Sequence, residues 1–201
     1  VVMDRINRDQ HSGTVRQLIL TICCCVLTAL PGWSGADEPD PQLLGLLRQA
    51  IESADSFTDR YDAEVWLKLN SQRAERFVSD PEERLKILRH VHYEATRASL
   101  SPELVLSVIE VESAFDRFAL SHAGAQGLMQ VMPFWLKEIG RPQDNLMDIR
   151  TNLRMGCTIL RYYLDMEKGD YIPALARYNG SLGKPDYPRK VIGRWTRVWM
   201  P

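Results

Sequence analysis

The chain has 201 residues, 45% of them apolar, enough to bury one substantial core with at most a small satellite. A formal net charge of −1 excludes nucleic-acid binding driven by bulk charge. Cys23, Cys24 and Cys25 are adjacent, which leaves Cys157 alone in the rest of the chain and excludes a disulfide framework or a cysteine zinc site there.

Arg5, Arg8 and Arg16 precede an apolar run from Leu18 to Leu30, and Ser34-Gly35-Ala36 then supplies small residues for cleavage. The run is shorter than the roughly 20 residues a bilayer requires and suits the core of a secretory signal. Residues 1–36 are therefore predicted to be a signal peptide sending the chain to the periplasm or cell envelope; an uncleaved membrane anchor is the alternative. Leu20-Thr21-Ile22-Cys23 is a poor lipid-attachment box, because Ile22 is bulky and much of the apolar run lies beyond Cys23.

Residues 37–95 read as a small helical region. Leu43, Leu44, Leu47, Ile51 and Ala54 recur at helical spacing, and Val65, Trp66, Leu69 and Phe77 do so again after a polar break. Asp80-Pro81-Glu82-Glu83 has the spacing of a capping box and opens a helix carrying Leu85, Leu88, Val91, His92 and Ala95. His90 and His92 cannot share a metal ion within that helix, since residues two apart point about 200° apart. A His90–Glu94 pair reads as a surface contact, and the chain has no HExxH pattern. No metal and no cofactor are expected.

Ser101-Pro102-Glu103 signals the next helix: a Ser cap, Pro in the first turn and an acid at the positive end of the dipole. On a wheel of about 100° per residue, Leu104, Val105, Val108, Ile109 and Phe115 form one apolar face. Glu112 falls in the middle of that face, while Glu110 lies roughly opposite, toward water. A carboxylate on a buried stripe is costly unless it is paired or used. The polar, glycine-bearing turn Ala123–Gln130 follows, able to bring backbone amides close to a ligand. One buried acid beside one such turn suggests a catalytic cleft.

Beyond Asp144-Asn145-Leu146 a helix presents Leu153, Gly156, Ile159, Leu160 and Tyr163, with Gly156 suggesting a close helix approach. Another helix ends in Tyr178-Asn179-Gly180, and Tyr187-Pro188-Arg189-Lys190-Val191 leads to a terminus rich in Arg and Trp. That terminus is read as a solvated helix whose Trp195 and Trp199 cap the core, in preference to a patch for anionic wall polymer.

Glu112-Ser113, Ser121, Gly124, Gly127-Leu128-Met129-Gln130, Met132-Pro133, Tyr178-Asn179, and Tyr187 with Val191 stand in an order and spacing that resembles the SLT-type lytic transglycosylases. The catalytic domain of that family looks like goose-type lysozyme. The resemblance covers about residues 96–201 and implies a predominantly α, lysozyme-like helical catalytic domain preceded by the small helical region. Two departures stand out: Arg177 occupies a position where the family commonly has Ala, and Gly180-Ser181-Leu182-Gly183 replaces its usual Ala-Gly-Pro-Gly tail.

The resemblance further implies that the substrate is the peptidoglycan glycan strand. Glu112 is then the single general acid and base, cleaving the MurNAc–GlcNAc β-1,4 bond with formation of 1,6-anhydro-MurNAc ends. Ser121, Gln130, Tyr178, Asn179 and Tyr187 carry over as groups that hold substrate, with Met132 as an apolar wall. A neutral acid is needed because an exposed Glu, with a pKa near about 4.3, is mostly ionised at neutral pH. Asp116, one turn on, is the nearest second carboxylate and is read as a surface or capping residue. A hydrolytic muramidase and a silent wall-binding module are the competing functions.

Overall fold

The computed structural model describes residues 59–200. Its helices are α1 (Arg60–Ala74), α2 (Pro81–Arg97), α3 (Pro102–Ser113), α4 (Trp135–Ile139), α5 (Ile149–Met166), α6 (Tyr171–Tyr178) and α7 (Asp186–Arg194), followed by a π-helical turn, Trp195–Trp199. Extended pairing among the described residues is limited to isolated bridges, Leu120 with Gln126 and Gln126 with Val131. The expected predominantly α class is what the described residues adopt. The export segment and the helix expected over Leu43–Ala54 lie outside the described residues.

Local chemistry explains where the helices begin. Asp59, Asp80, Ser101, Asp148 and Asp170 each accept a hydrogen bond from an otherwise orphaned N–H of the first turn that follows. Asp80 bonds the amides of Glu82 (3.1 Å) and Glu83 (3.4 Å). The reciprocal half of the expected capping box is replaced, because the Glu83 carboxylate pairs with Arg117 at 3.0 Å.

α3 runs through the middle of the core. Every residue from Leu104 to Glu110 is buried, so this helix has no wet flank along that stretch. α2, α7 and the π-turn pack against it, while α5 packs on α2 and α6. Glu110 is therefore not turned to water as the wheel suggests: its residue is only 9% exposed. The wheel assumes one solvated side, and here the π-turn covers that side with Trp199, which is fully buried. The terminal Trp residues thus cap the core, as the sequence leads one to expect. Among the described residues, no helix is long and apolar enough to cross a membrane.

Candidate active site

Glu112 lies in the last turn of α3, which ends abruptly. Ala114 and Phe115 both adopt left-handed backbone angles (φ 49° and 66°), uncommon for residues with a Cβ and costly for a bulky one. Phe115 is held there by its own burial, its ring stacked on Phe77 at 5.2 Å between centroids and tilted against Trp199 at 5.5 Å. Ser113 explains why a hydroxyl follows the acid: it donates to the Leu128 carbonyl (2.8 Å), tying the end of α3 to the glycine-bearing loop.

That loop is a backbone structure built on itself. Gly127 N–H donates to the Ala119 carbonyl (2.9 Å), and Gln126 and Val131 exchange both amide bonds at 3.0 Å. Gly127 has φ +74°, and a Cβ there would stand 2.4 Å from the Asn152 amide nitrogen and 2.5 Å from the Leu146 carbonyl oxygen. Asn152, buried on α5, fastens the loop from beneath. It accepts from Met129 N–H (2.8 Å) and donates to the carbonyls of Gln126 (2.7 Å) and Leu146 (2.8 Å). Gly156, one turn further along α5, leaves room for Met129, so the close approach expected at that glycine is made by the loop rather than by another helix.

The far wall comes from α6 and α7. Tyr178 donates its hydroxyl to the Met129 carbonyl (2.7 Å). Burial, together with the nearby Glu112 carboxyl, pushes the phenols of both Tyr178 and Tyr187 far above their ordinary range. The Tyr187 hydroxyl is buried without a well-formed hydrogen bond, yet it lies close enough to Glu112 to favour the ionised carboxylate, as Asn179 also does. Burial wins that contest, and the Glu112 carboxyl is held above the usual carboxylate range. An acid so placed keeps its proton to higher pH than an exposed one.

Of the residues singled out from the sequence, Glu112, Tyr178, Asn179 and Tyr187 come together. Ser121 and Gln130 turn inward to the loop instead: Ser121 accepts from Ala125 N–H (2.9 Å), and Gln130 donates to the carbonyls of Gly127 (2.9 Å) and Ala119 (3.2 Å). Met132 is half-buried just past the loop. Asp116 is exposed, its carboxylate accepting from Phe118 N–H at 2.8 Å, the local role expected of it. Asn152 is a residue that the sequence reading misses. Its signal is its position, one turn before Gly156 on the face that points at the core. Among the described residues, no group of His, Cys, Asp and Glu is arranged to hold a metal ion.

Residues 90–190, half of the chain, match the sequence model of the transglycosylase SLT domain, and the chain belongs to that family. A transglycosylase of Enterobacteria phage PRD1 is 36% identical over 47% of this chain and 37% of its own length. Membrane-bound lytic murein transglycosylase C of Mannheimia succiniciproducens is 32% identical over 45% of the chain and 27% of its own length. The same-named protein of Actinobacillus pleuropneumoniae serotype 5b is 54% identical over 19% and 11%. The chain thus spans little more than a third of the longest-matched of these relatives. Among solved structures, an inactive mutant of lytic transglycosylase Slt from Pseudomonas aeruginosa overlaps 80% of this chain and 35% of its own, at 19% identity and a TM-score of 0.44. The 70 kDa soluble lytic transglycosylase of Escherichia coli overlaps 80% and 26%, at 22% identity and the same score.

Proposed function

We propose that this chain is a peptidoglycan lytic transglycosylase of the cell envelope and that Glu112 is its single general acid and base. The observation that carries this reading is the setting of Glu112: a half-buried carboxyl that desolvation holds above the usual carboxylate range, faced by Tyr187 and Asn179, at the mouth of a loop whose carbonyls and amides are internally fixed. Membership in the SLT family supports the reaction class, and relatives named as membrane-bound murein transglycosylases support the envelope location.

In the proposed reaction, Glu112 gives its proton to the glycosidic oxygen of the MurNAc–GlcNAc β-1,4 bond as that bond breaks. The carbonyl oxygen of the sugar's own 2-acetamido group attacks the anomeric carbon, so no enzyme nucleophile is needed. Glu112, now a carboxylate, takes the proton of the C6 hydroxyl, whose oxygen displaces the acetamido oxygen and closes a 1,6-anhydro ring. Tyr187 and Asn179 steady the carboxylate between these two proton transfers, and Tyr178, bonded to Met129, fixes the wall beside them. Asn179 is exposed, so the rest of its carboxamide can meet the acetamido group. Ser121 and Gln130 act on the substrate through the shape of the loop they hold, with Met132 as its apolar edge. Cofactors take no part in this scheme.

The test is digestion of purified wall sacculi followed by mass analysis. Products one water lighter than hydrolysis products and resistant to borohydride are expected. Reducible, hydrated ends would make the chain a muramidase. Binding without any product would make it a wall-binding module.

A further inference from the structure

Two residues before Glu112, α3 carries Glu110, which is the more deeply buried of this pair. Glu110 Oε2 accepts from the indole N–H of Trp199 at 2.8 Å, while its Oε1 lies 3.2 Å from both Arg76 and Arg194. The partners belong to different parts of the chain. Arg76 follows α1, Arg194 is the last residue of α7, and Trp199 closes the π-turn. Nothing in the proposed reaction uses this carboxylate.

Its geometry nevertheless reaches the acid. Arg194 and Tyr187 both lie on α7, and the spacing between them corresponds to about two turns, so the two residues project from nearly the same face roughly 10 Å apart. Val191 lies between them and is fully buried. α7 is therefore joined to α3 at both ends of that face. Arg194 holds Glu110, and the Tyr187 hydroxyl stands against Glu112. With Glu112 taken as the acid, we infer that Arg194 and Glu110 form a positioning pair that fixes the slide and rotation of α7, keeping the Tyr187 hydroxyl aimed at the Glu112 carboxyl. Arg76 grips the same oxygen from the α1 side and belongs to no element that carries a residue facing Glu112, so it serves as an internal control. The groups facing Glu112 are Tyr187 from α7 and Tyr178 and Asn179 from the end of α6.

The sign of the effect follows from the chemistry. A hydroxyl directed at a carboxylate favours the ionised form. When α7 is released, that favour weakens, and the Glu112 carboxyl titrates at higher pH. Catalysis then suffers because the carboxyl is no longer held in place between its two proton transfers, while substrate binding is little affected.

The experiment is a carbon-13 titration of the side-chain carboxyl of Glu112 in the full chain labelled at glutamate, its signal assigned by loss in Glu112→Gln. Arg194→Met is expected to raise the midpoint by about half a unit or more. Arg76→Met should leave it in place. In a Tyr187→Phe background Arg194→Met should add nothing, because the group it positions is gone. An unchanged midpoint in Arg194→Met, or an equal shift with and without the Tyr187 hydroxyl, overturns the inference. On sacculi, Arg194→Met should lower kcat by roughly 3- to 10-fold with KM within about two-fold. The side chain of Arg194 is half exposed, so its replacement leaves the fold intact. The titration needs no turnover: a wild-type protein that releases no product refutes the proposed activity, and the midpoint still decides the role of the pair.

Discussion

Glu110 and Glu112 sit two residues apart on one helix and meet opposite surroundings. Glu110 is enclosed by an indole N–H and two guanidinium groups, so its charge is matched on every side. Glu112 is half-buried and faced by a phenol and a carboxamide, neutral donors that only partly offset the loss of hydration. Burial alone thus does not make a proton donor. A buried acid among cations is an anchor, whereas an acid desolvated among neutral groups holds its proton to higher pH, which suits the donor role proposed for Glu112. The same contrast separates the two walls around Glu112. The loop from Ala119 to Val131 is locked through its backbone, while the α6–α7 wall presents side chains.

The largest effect should come from exchanging the two acids' fates. Glu112→Gln is expected to remove lytic activity by about three orders of magnitude or more, and to leave the protein as stable as before or more so. Because the native carboxyl of Glu112 is raised above its unfolded value, its contribution to stability is fully present below the unfolded pKa and is lost as pH rises through the native one. The melting temperature of Glu112→Gln relative to wild type should therefore climb as the pH rises above about 4, the ordinary glutamate range. A flat difference over that rise would mean the acid is not raised. Glu110→Ala should do the reverse and destabilise by about 2 kcal/mol, chiefly because the fully buried Trp199 indole N–H is left unpaired. Its ion pairs add little, since the side chains of Arg76 and Arg194 are 54% and 51% exposed. If both substitutions cost equal stability in chemical denaturation, the anchor and the donor have been assigned wrongly.

Gly127→Ala sharpens the contrast between the two walls. An Ala there must take a left-handed φ and push aside the Asn152 amide and the Leu146 carbonyl, one of them backbone. A loss of about 3 kcal/mol is expected, with the loop amides of Gln126 and Val131 losing hydrogen-exchange protection first. A substitution on the other wall, such as Tyr178→Phe, should cost only the single bond to Met129, about 1 kcal/mol. Similar losses at both would show that the loop is not the rigid member.

What could be read from the sequence follows the range of the forces involved. Ser101 and Asp80 reveal helix starts because a cap is a contact between residues two or three apart. That Glu112, Tyr178, Asn179 and Tyr187 belong together is legible through motif order and through one acid on an apolar stripe. The burial of Glu110 is not: what buries it are Arg76 and Trp199, distant in sequence, and a helical wheel carries no information about which flank a remote segment will cover. Asn152 was missed for the same reason, since its three partners lie in the loop region from Gln126 to Leu146. Ser121 and Gln130 are expected from motif order to hold substrate, but the structure turns their side chains into the loop, which no spacing rule foretells. Val65 shows the limit of periodicity itself: it fits the apolar spacing of α1 yet is 66% exposed.

The smallest expected effect bears on the single-acid reading. Asp116 lies one turn beyond Glu112 in sequence, and a muramidase working with two carboxylates would need such a residue to position water or trap the cation. Here the chain leaves α3 through the left-handed Ala114 and Phe115 before reaching Asp116, so the helical spacing that would align the two acids is broken. The Asp116 carboxylate instead closes a local turn on Phe118 N–H. Asn keeps an oxygen acceptor for that turn, so Asp116→Asn should alter kcat/KM by less than about two-fold and stability by less than about 0.5 kcal/mol. Anhydro ends should remain the product. A hundred-fold loss in Asp116→Asn with the fold intact would instead install a second catalytic carboxylate, and the comparison between Glu110 and Glu112 would then have to be redrawn around three acids.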